Sequence, residues 1–226
     1  MKKLETKIAK LYTLSNTIAE EYLKKFKYPW EALEGLGKFI VELGNTLNPN
    51  EYRKIGNNVW IHNSVRIPPT VCLAGPLIIC ENAEIRHCAF FRGKVIVGAG
   101  AVIGNSCELK NSIIFNEAQI PHYNYIGDSI IGYKSHLGAS SLTSNLKSDK
   151  TNISIHCTDG DIETGLKKIG AMVGDNVEVG CGSVLNPGTV IGKDSNIYPL
   201  SSVRGCVDAK SIYKCQGEVI KKEKRK

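Results

Sequence analysis

Apolar residues recur at every sixth position along most of this chain. From Ile61 the steps land on Ile67, Leu73, Ile79, Ile85, Phe91, Val97, Ile103 and Leu109, and after one step of five on Ile114, Ile120 and Ile126. A second step of five reaches Ile131 and then Leu137, and the ladder resumes at Val173, Val179, Leu185, Ile191, Ile197 and Val203. Every rung is Ile, Leu, Val or Phe in a chain that is only 42% hydrophobic, which chance does not produce. The residue four after a rung is usually small or β-branched, as at Val65, Val71, Ala83, Ala89, Val95 and Ala101, and the residue directly after it is often Gly, Ala or Pro. These are hexapeptide repeats. Three hexads close one triangular coil of about 18 residues, with short parallel strands stacked roughly 4.8 Å apart around a narrow apolar interior.

The pattern predicts a mainly β fold, a parallel β-helix over residues 57–210. Hexapeptides of this kind resemble those of the left-handed form, an exception to the usual right-handed crossover. Residues 1–56 carry a helical pattern instead. Leu33, Leu36, Phe39, Ile40 and Leu43 keep i, i+3, i+4 spacing, Pro29 suits a first helical turn, Gly44 suits a stop, and Ile18, Tyr22 and Leu23 point to an earlier helix. An N-terminal α-helical cap over the first coil is expected, because the open end of such a stack exposes unpaired backbone and apolar side chains. Residues 143–172 are polar and lack the repeat, which predicts an inserted loop, and an insertion this long in a solenoid is often functional. Residues 211–226 read as a C-terminal tail.

Composition narrows the function classes. The net charge of +7 suggests a nucleic-acid partner, but five bases against one acid lie in Lys221–Lys226, so the body is nearly balanced and no nucleic-acid binding is expected. No stretch approaches the roughly 18 to 20 apolar residues of a membrane span, and Met1-Lys2-Lys3-Leu4-Glu5-Thr6-Lys7 has no apolar run behind its charges, so a cytoplasmic protein without a membrane partner is expected. The eight cysteines contain no C-x-x-C pair and read as reduced thiols filling small sites.

The residue after a rung faces a tight corner, so the large cations Arg86, Arg92, Lys110 and Arg204 need a reason. Arg92 and Lys110 occupy equivalent places on neighbouring coils, about one strand spacing apart. Two like charges so close ask for an anion such as phosphate, Arg offering a bidentate fork and Lys a point charge; the alternative is that each pairs with a nearby acid such as Glu108. One coil further on, Ile120-Pro121-His122-Tyr123-Asn124-Tyr125 places a histidine and two tyrosines where small residues are usual. Histidine, with an ordinary pKa of roughly 6.5, can accept a proton from an attacking amine, and tyrosine can orient a sugar hydroxyl.

The run from Arg92 through Lys110, His122 and Tyr125 to Asn145, together with residues 162–176, resembles the acetyltransferase domain of the bifunctional N-acetylglucosamine-1-phosphate uridyltransferase / glucosamine-1-phosphate acetyltransferase family, most closely its archaeal type. The resemblance spans roughly residues 60 to 207. It implies that Arg92 and Lys110 hold a sugar phosphate, Tyr125 and His136 contact the substrate, His122 is the general base and Asn145 positions the reacting groups. It also implies acetyl-CoA as acyl donor near Ala139 and Lys150, no metal, and a homotrimer with sites between subunits, so that Asn145 and the inserted loop would serve a neighbour's site. Departures are present. His136 stands where bacterial members have asparagine, Leu146 where they have tyrosine, and Cys181 and Pro199 replace small residues of the CoA groove. Uridylyl transfer is not expected of these residues, because residues 1–60 hold no Gly-rich phosphate loop; a separate nucleotidyltransferase would be the partner for that step.

Two other chemistries compete. His87 and His122 match places two coils apart, as in zinc carbonic anhydrases of the γ class, but the third ligand is missing because position 127 is Gly. A non-catalytic scaffold or sensor would bind a UDP-sugar or sugar phosphate through Arg92, Lys110 and Tyr125 without transferring an acyl group.

Overall fold

The computed structural model describes residues 1–214 and 219–221. It is a parallel β-helix of about nine turns with three faces. The first face stacks Val59–His62, Leu77–Ile79, Val95–Val97, the second halves of Glu108–Ile114 and Tyr125–Ile131, then Ala171–Val173, Thr189–Ile191 and Cys206–Val207. The second runs from Glu84–Ile85 through Val102–Asn105, Gln119–His122, His136–Leu137, Glu178–Val179 and Asn196–Ile197 to Ser211–Tyr213. The third comprises Cys72–Ala74, Phe90–Arg92, the first halves of the two long strands, Leu142–Thr143, Val184–Leu185 and Ser202–Val203. From Ile61 to Val203 the hexad rungs pack together inside the prism, Ile67 and Leu73 only partly buried at its start.

The first face is apolar on both sides. Its outward residues Trp60, Ile78, Ile96, Ile113, Ile130, Met172 and Val190 are all buried, forming a second core with the N-terminal helices. Strands covered on both faces read as continuous apolar runs rather than alternating ones, as Leu77-Ile78-Ile79 and Val95-Ile96-Val97 do. The helices α1 (Ile8–Leu11), α2 (Glu20–Leu23) and α3 (Ala32–Gly44) therefore lie along this face. This corrects the expected end cap. Contacts along the length of the stack show it: Tyr12 stacks on Phe115, Asn116 N donates to Asn16 O at 3.0 Å, and Thr13 N donates to the buried Asp175 at 2.7 Å. A row of apolar side chains far larger than one coil end was the surface needing cover.

The stack ends are closed by antiparallel strands instead, Tyr52–Ile55 on Val59–His62 and Val219–Lys221 on Ser211–Tyr213. Such pairing removes unpaired edge groups. Ser211–Tyr213 is thus a further rung rather than tail; residues 222–226 and Cys215 lie outside the described residues. The insertion is shorter than its polar composition implied. Thr143 fills a rung between Ile126 and Leu185, its hydroxyl accepting Gly127 N at 2.9 Å, and Ala171 and Met172 belong to a strand. Within the insertion, Ser154–Cys157 and Gly160–Glu163 form a hairpin whose Ile155, like the preceding Ile153, is buried in the same second core. Its turn meets the chain start, where Thr158 N donates to Met1 O at 3.0 Å and Lys3 N to Asp159 Oδ1 at 2.8 Å. The hairpin covers its own chain's first face. Cys72, Cys88 and Cys181 are exposed, so those three thiols do not fill small interior sites.

Candidate active site

The two five-residue steps tighten the corner between the third and first faces. Glu108–Ile114 and Tyr125–Ile131 run round it unbroken, with Asn111 at φ 48° and Asp128 at φ 49° taking the left-handed turn. Asn and Asp enter that region more readily than other residues with a Cβ. Register stacks Lys110 on Gly127 and Ser112 on Ser129, so Asn111 lies against Asp128 and donates Nδ2 to its Oδ1 at 2.7 Å. The insertion leaves the solenoid from the same corner one coil on. Asn145 there donates Nδ2 to Asp128 Oδ2 at 2.5 Å and to the Tyr125 hydroxyl at 3.2 Å. Lys110 Nζ donates to Asp128 Oδ2 at 3.5 Å. Gly127 makes this convergence possible, since a Cβ there would sit 2.5 Å from the Tyr125 hydroxyl and 2.9 Å from Asn145 Nδ2.

Asp128 is 4% exposed and forms the centre of the cluster. Burying a carboxylate is costly unless donors surround it, and three side chains supply them. Beside it Arg92 Nη1 donates to Glu108 Oε1 at 2.7 Å. Both cations thus face carboxylates, which modifies the expectation that two neighbouring positive charges await an anion. Any anion entering here would have to compete with Glu108 for Arg92. Burial, then the charges of Asp128 and Glu108, push the Tyr125 phenol above its ordinary pKa of 10.0, so its hydroxyl keeps its proton and can donate.

His122 ends its strand on the second face, at the corner leading to Tyr125. Its ring is exposed and makes no hydrogen bond among the described residues, while its backbone is held: N donates to Asn124 Oδ1 at 3.1 Å, and O accepts Ser140 N at 3.0 Å. Asn124, buried, fixes that turn by donating to Gly138 O and Ser141 O, both at 2.9 Å.

The remaining predicted site residues lie elsewhere. His136 is on the second face, its Nδ1 2.9 Å from Glu178 Oε2. The two line a groove of about 990 Å³ with Gly138, Cys181, Tyr198 and Pro199. Gly138 keeps the groove floor low, since a Cβ would meet Cys181 N at 2.7 Å. Ala139 follows it, half-buried, its carbonyl accepting Gly182 N at 2.9 Å. Lys150 is exposed in a turn closed by its N–H to Lys147 O at 3.0 Å, and it does not join the Asp128 cluster. Asn145 completes a cluster within its own chain. Asp128, Asn111 and Glu178 were missed from the sequence, the only signal for the first two being the pair of shortened steps, whereas Glu108 takes the place beside Arg92 that the alternative reading gave it. Among the described residues no group of three or more His, Cys, Asp or Glu could hold a metal ion, and no helix is long and apolar enough to cross a membrane.

The fold is a hexapeptide β-helix with a polar corner cluster and a groove on its second face, and the comparisons identify the class to which it belongs. Residues 73–166 match the family described as the GMPPB C-terminal domain. The bifunctional protein GlmU of Methanococcus vannielii is 31% identical over 197 residues, 86% of this chain and 47% of that protein. YaiX of Escherichia coli K12, which is named as an acetyltransferase, is 33% identical over 176 residues, 70% of this chain and 74% of that protein. The AntD N-acyltransferase of Bacillus cereus, solved as a point mutant with coenzyme A and dTDP-4-amino-4,6-dideoxyglucose, is 19% identical, with a TM-score of 0.39 over 74% of this chain and 82% of that one. The chain spans about half the length of the GlmU proteins it matches. It belongs to the hexapeptide-repeat acetyltransferase family, and matches the acetyltransferase part of the GlmU proteins.

Proposed function

We propose that this chain transfers an acetyl group from acetyl-CoA to the amine of an amino-sugar phosphate of the glucosamine-1-phosphate kind, or of the corresponding nucleotide sugar. The observation that carries the reading is the gathering of Lys110, Tyr125 and Asn145 about Asp128 with Arg92 alongside, a place for an anion next to fixed neutral hydrogen-bonding groups. Acetyl-CoA would supply the activated thioester. The groove floored by Gly138 fits an extended donor arm, which would run past Ala139 and Cys181. Lys110 and Arg92 bind the phosphate, Tyr125 donates to a sugar oxygen, and His122 removes the amine proton as attack proceeds; the C–S bond then breaks and CoA leaves as its thiol with that proton. A homotrimer would cover the edge on which Tyr123, 63% exposed, and Leu200, 83% exposed, stand beside His122 and the groove.

A non-catalytic sugar-phosphate binder is favoured by one observation, the absence of an orienting partner for the His122 ring among the described residues. One experiment separates the two. Thiol release from acetyl-CoA is measured with glucosamine-1-phosphate or galactosamine-1-phosphate, beside calorimetric titration with acetyl-CoA and UDP-N-acetylglucosamine. Amino-sugar-dependent release supports the transferase; binding of the nucleotide sugar without release or CoA binding overturns it.

A further inference from the structure

Asn145 has two amide hydrogens, and both are committed to the protein: one reaches Asp128 Oδ2 at 2.5 Å, the other the Tyr125 hydroxyl oxygen at 3.2 Å. The opposite amide orientation would set Oδ1 against a carboxylate oxygen with no proton between them. That carboxylate is acceptor-only, because Lys110 and Asn111 donate to it as well. Asn145 Oδ1 consequently receives no hydrogen bond among the described residues. The same carboxylate orients Asn111, whose Oδ1 is left buried without a partner. A stack that tolerates an unpaired buried oxygen to keep two amides aligned on one carboxylate is organised around that carboxylate. The polarity then passes to Tyr125: its oxygen accepts from Asn145, so its own proton is directed elsewhere.

We propose that Asp128 is a positioning residue that sets the hydrogen-bond polarity of the site, holding Asn145 Oδ1 outward as an acceptor and the Tyr125 O–H outward as a donor. The group seated against Asn145 must bring an N–H or O–H, and the group against Tyr125 must bring an acceptor oxygen. Resting on the transferase reading, the first is the substrate amine and the second a sugar or phosphate oxygen. Asn145 thus steers the amine's hydrogens so that its lone pair faces the thioester, and it does not donate to the oxygen of the acyl group.

The test compares Asp128→Asn with the double variant Asp128→Asn, Asn145→Asp. In the single variant the carboxamide can turn either way and Asn145 is no longer held. The expected result is a fall in kcat of about 100-fold with KM for acetyl-CoA little changed, the size of effect that loss of alignment brings. In the double variant the residue at 128 donates and the one at 145 again offers an acceptor to the amine, while the Tyr125 hydroxyl, now facing an acceptor-only carboxylate, turns its proton inward, so only part of the loss, about tenfold, returns. A single variant with the parent kcat, or a folded double variant no faster than the single, overturns the proposal. The ¹⁵N–¹H spectrum of the parent protein gives a readout independent of turnover. One Asn145 side-chain N–H, identified with Asn145→Ala, should be shifted downfield by the carboxylate and lose that shift in Asp128→Asn. A downfield N–H in a protein that acetylates no amino-sugar phosphate upholds the polarity and sinks the transferase reading. Its absence overturns the polarity whatever the activity.

Discussion

At the residue scale the site depends on side chains whose environments differ sharply. His122 is exposed and unpartnered among the described residues, while the turn beneath it is held by the buried Asn124. Replacing His122 with Ala should abolish acetyl transfer, measured by thiol release, with calorimetric affinity for the sugar phosphate changed less than about threefold, because the ring bonds to nothing that holds the phosphate side. Gly127→Ala places a methyl group against Tyr125 and Asn145 and should lower kcat/KM at least about 100-fold, with the melting temperature moving only a few degrees. The cations at 92 and 110 were legible in the sequence, since each interrupts a corner column of small residues. Glu108 was legible as an acid near them, but Asp128 was not, because it lies 18 residues from Lys110 and 17 from Asn145, and only the stacking of coils brings the three together.

At the scale of elements, the helical layer and the first face behave as one packing unit. Phe115, fully buried, stacks on Tyr12 with ring centroids 5.1 Å apart. Phe115→Ala should cost about 3–5 kcal/mol, read from urea denaturation, since it removes the side chain that joins the two layers. Cys80 lies under the same layer near Tyr52, and burial pushes its thiol from an ordinary 9.0 up to about 12. The unfolded thiol loses its proton near 9 while the folded one keeps it, so the unfolded state binds fewer protons between those values. Its contribution to stability is therefore full below pH 9.0 and is lost as pH rises toward about 12. Denaturation midpoints should fall over that window, and Cys80→Ala should flatten the fall.

At the scale of the whole molecule, the outward row from Trp60 to Val190 makes the solenoid dependent on its N-terminal layer. Deleting residues 1–50 should yield a protein that aggregates on size exclusion and binds the dye ANS, because a contiguous apolar surface of this extent seeks another partner. A deletion product that runs as a well-folded, dye-negative species would contradict the packing described.

The ladder alone determined the solenoid, its interior and the equivalence of Arg92 with Lys110, because a six-residue period is a local property that survives without knowledge of distant partners. The helical segment was also legible as helix. Its place was not: helical periodicity names an apolar stripe but not the surface that receives it, and the receiving row was hidden inside strands whose apolar runs satisfy interior and exterior together. The chemistry divides in the same way. Residue types at the corner came from the sequence, whereas the tertiary structure decided that two shortened steps stack Asn111 on Asp128, that Asn145 closes on them from the insertion, and that His136 joins Glu178 in the groove. Those pairings arise from coil stacking across 17 to 42 residues, a distance at which a period predicts neighbours but not which atoms meet.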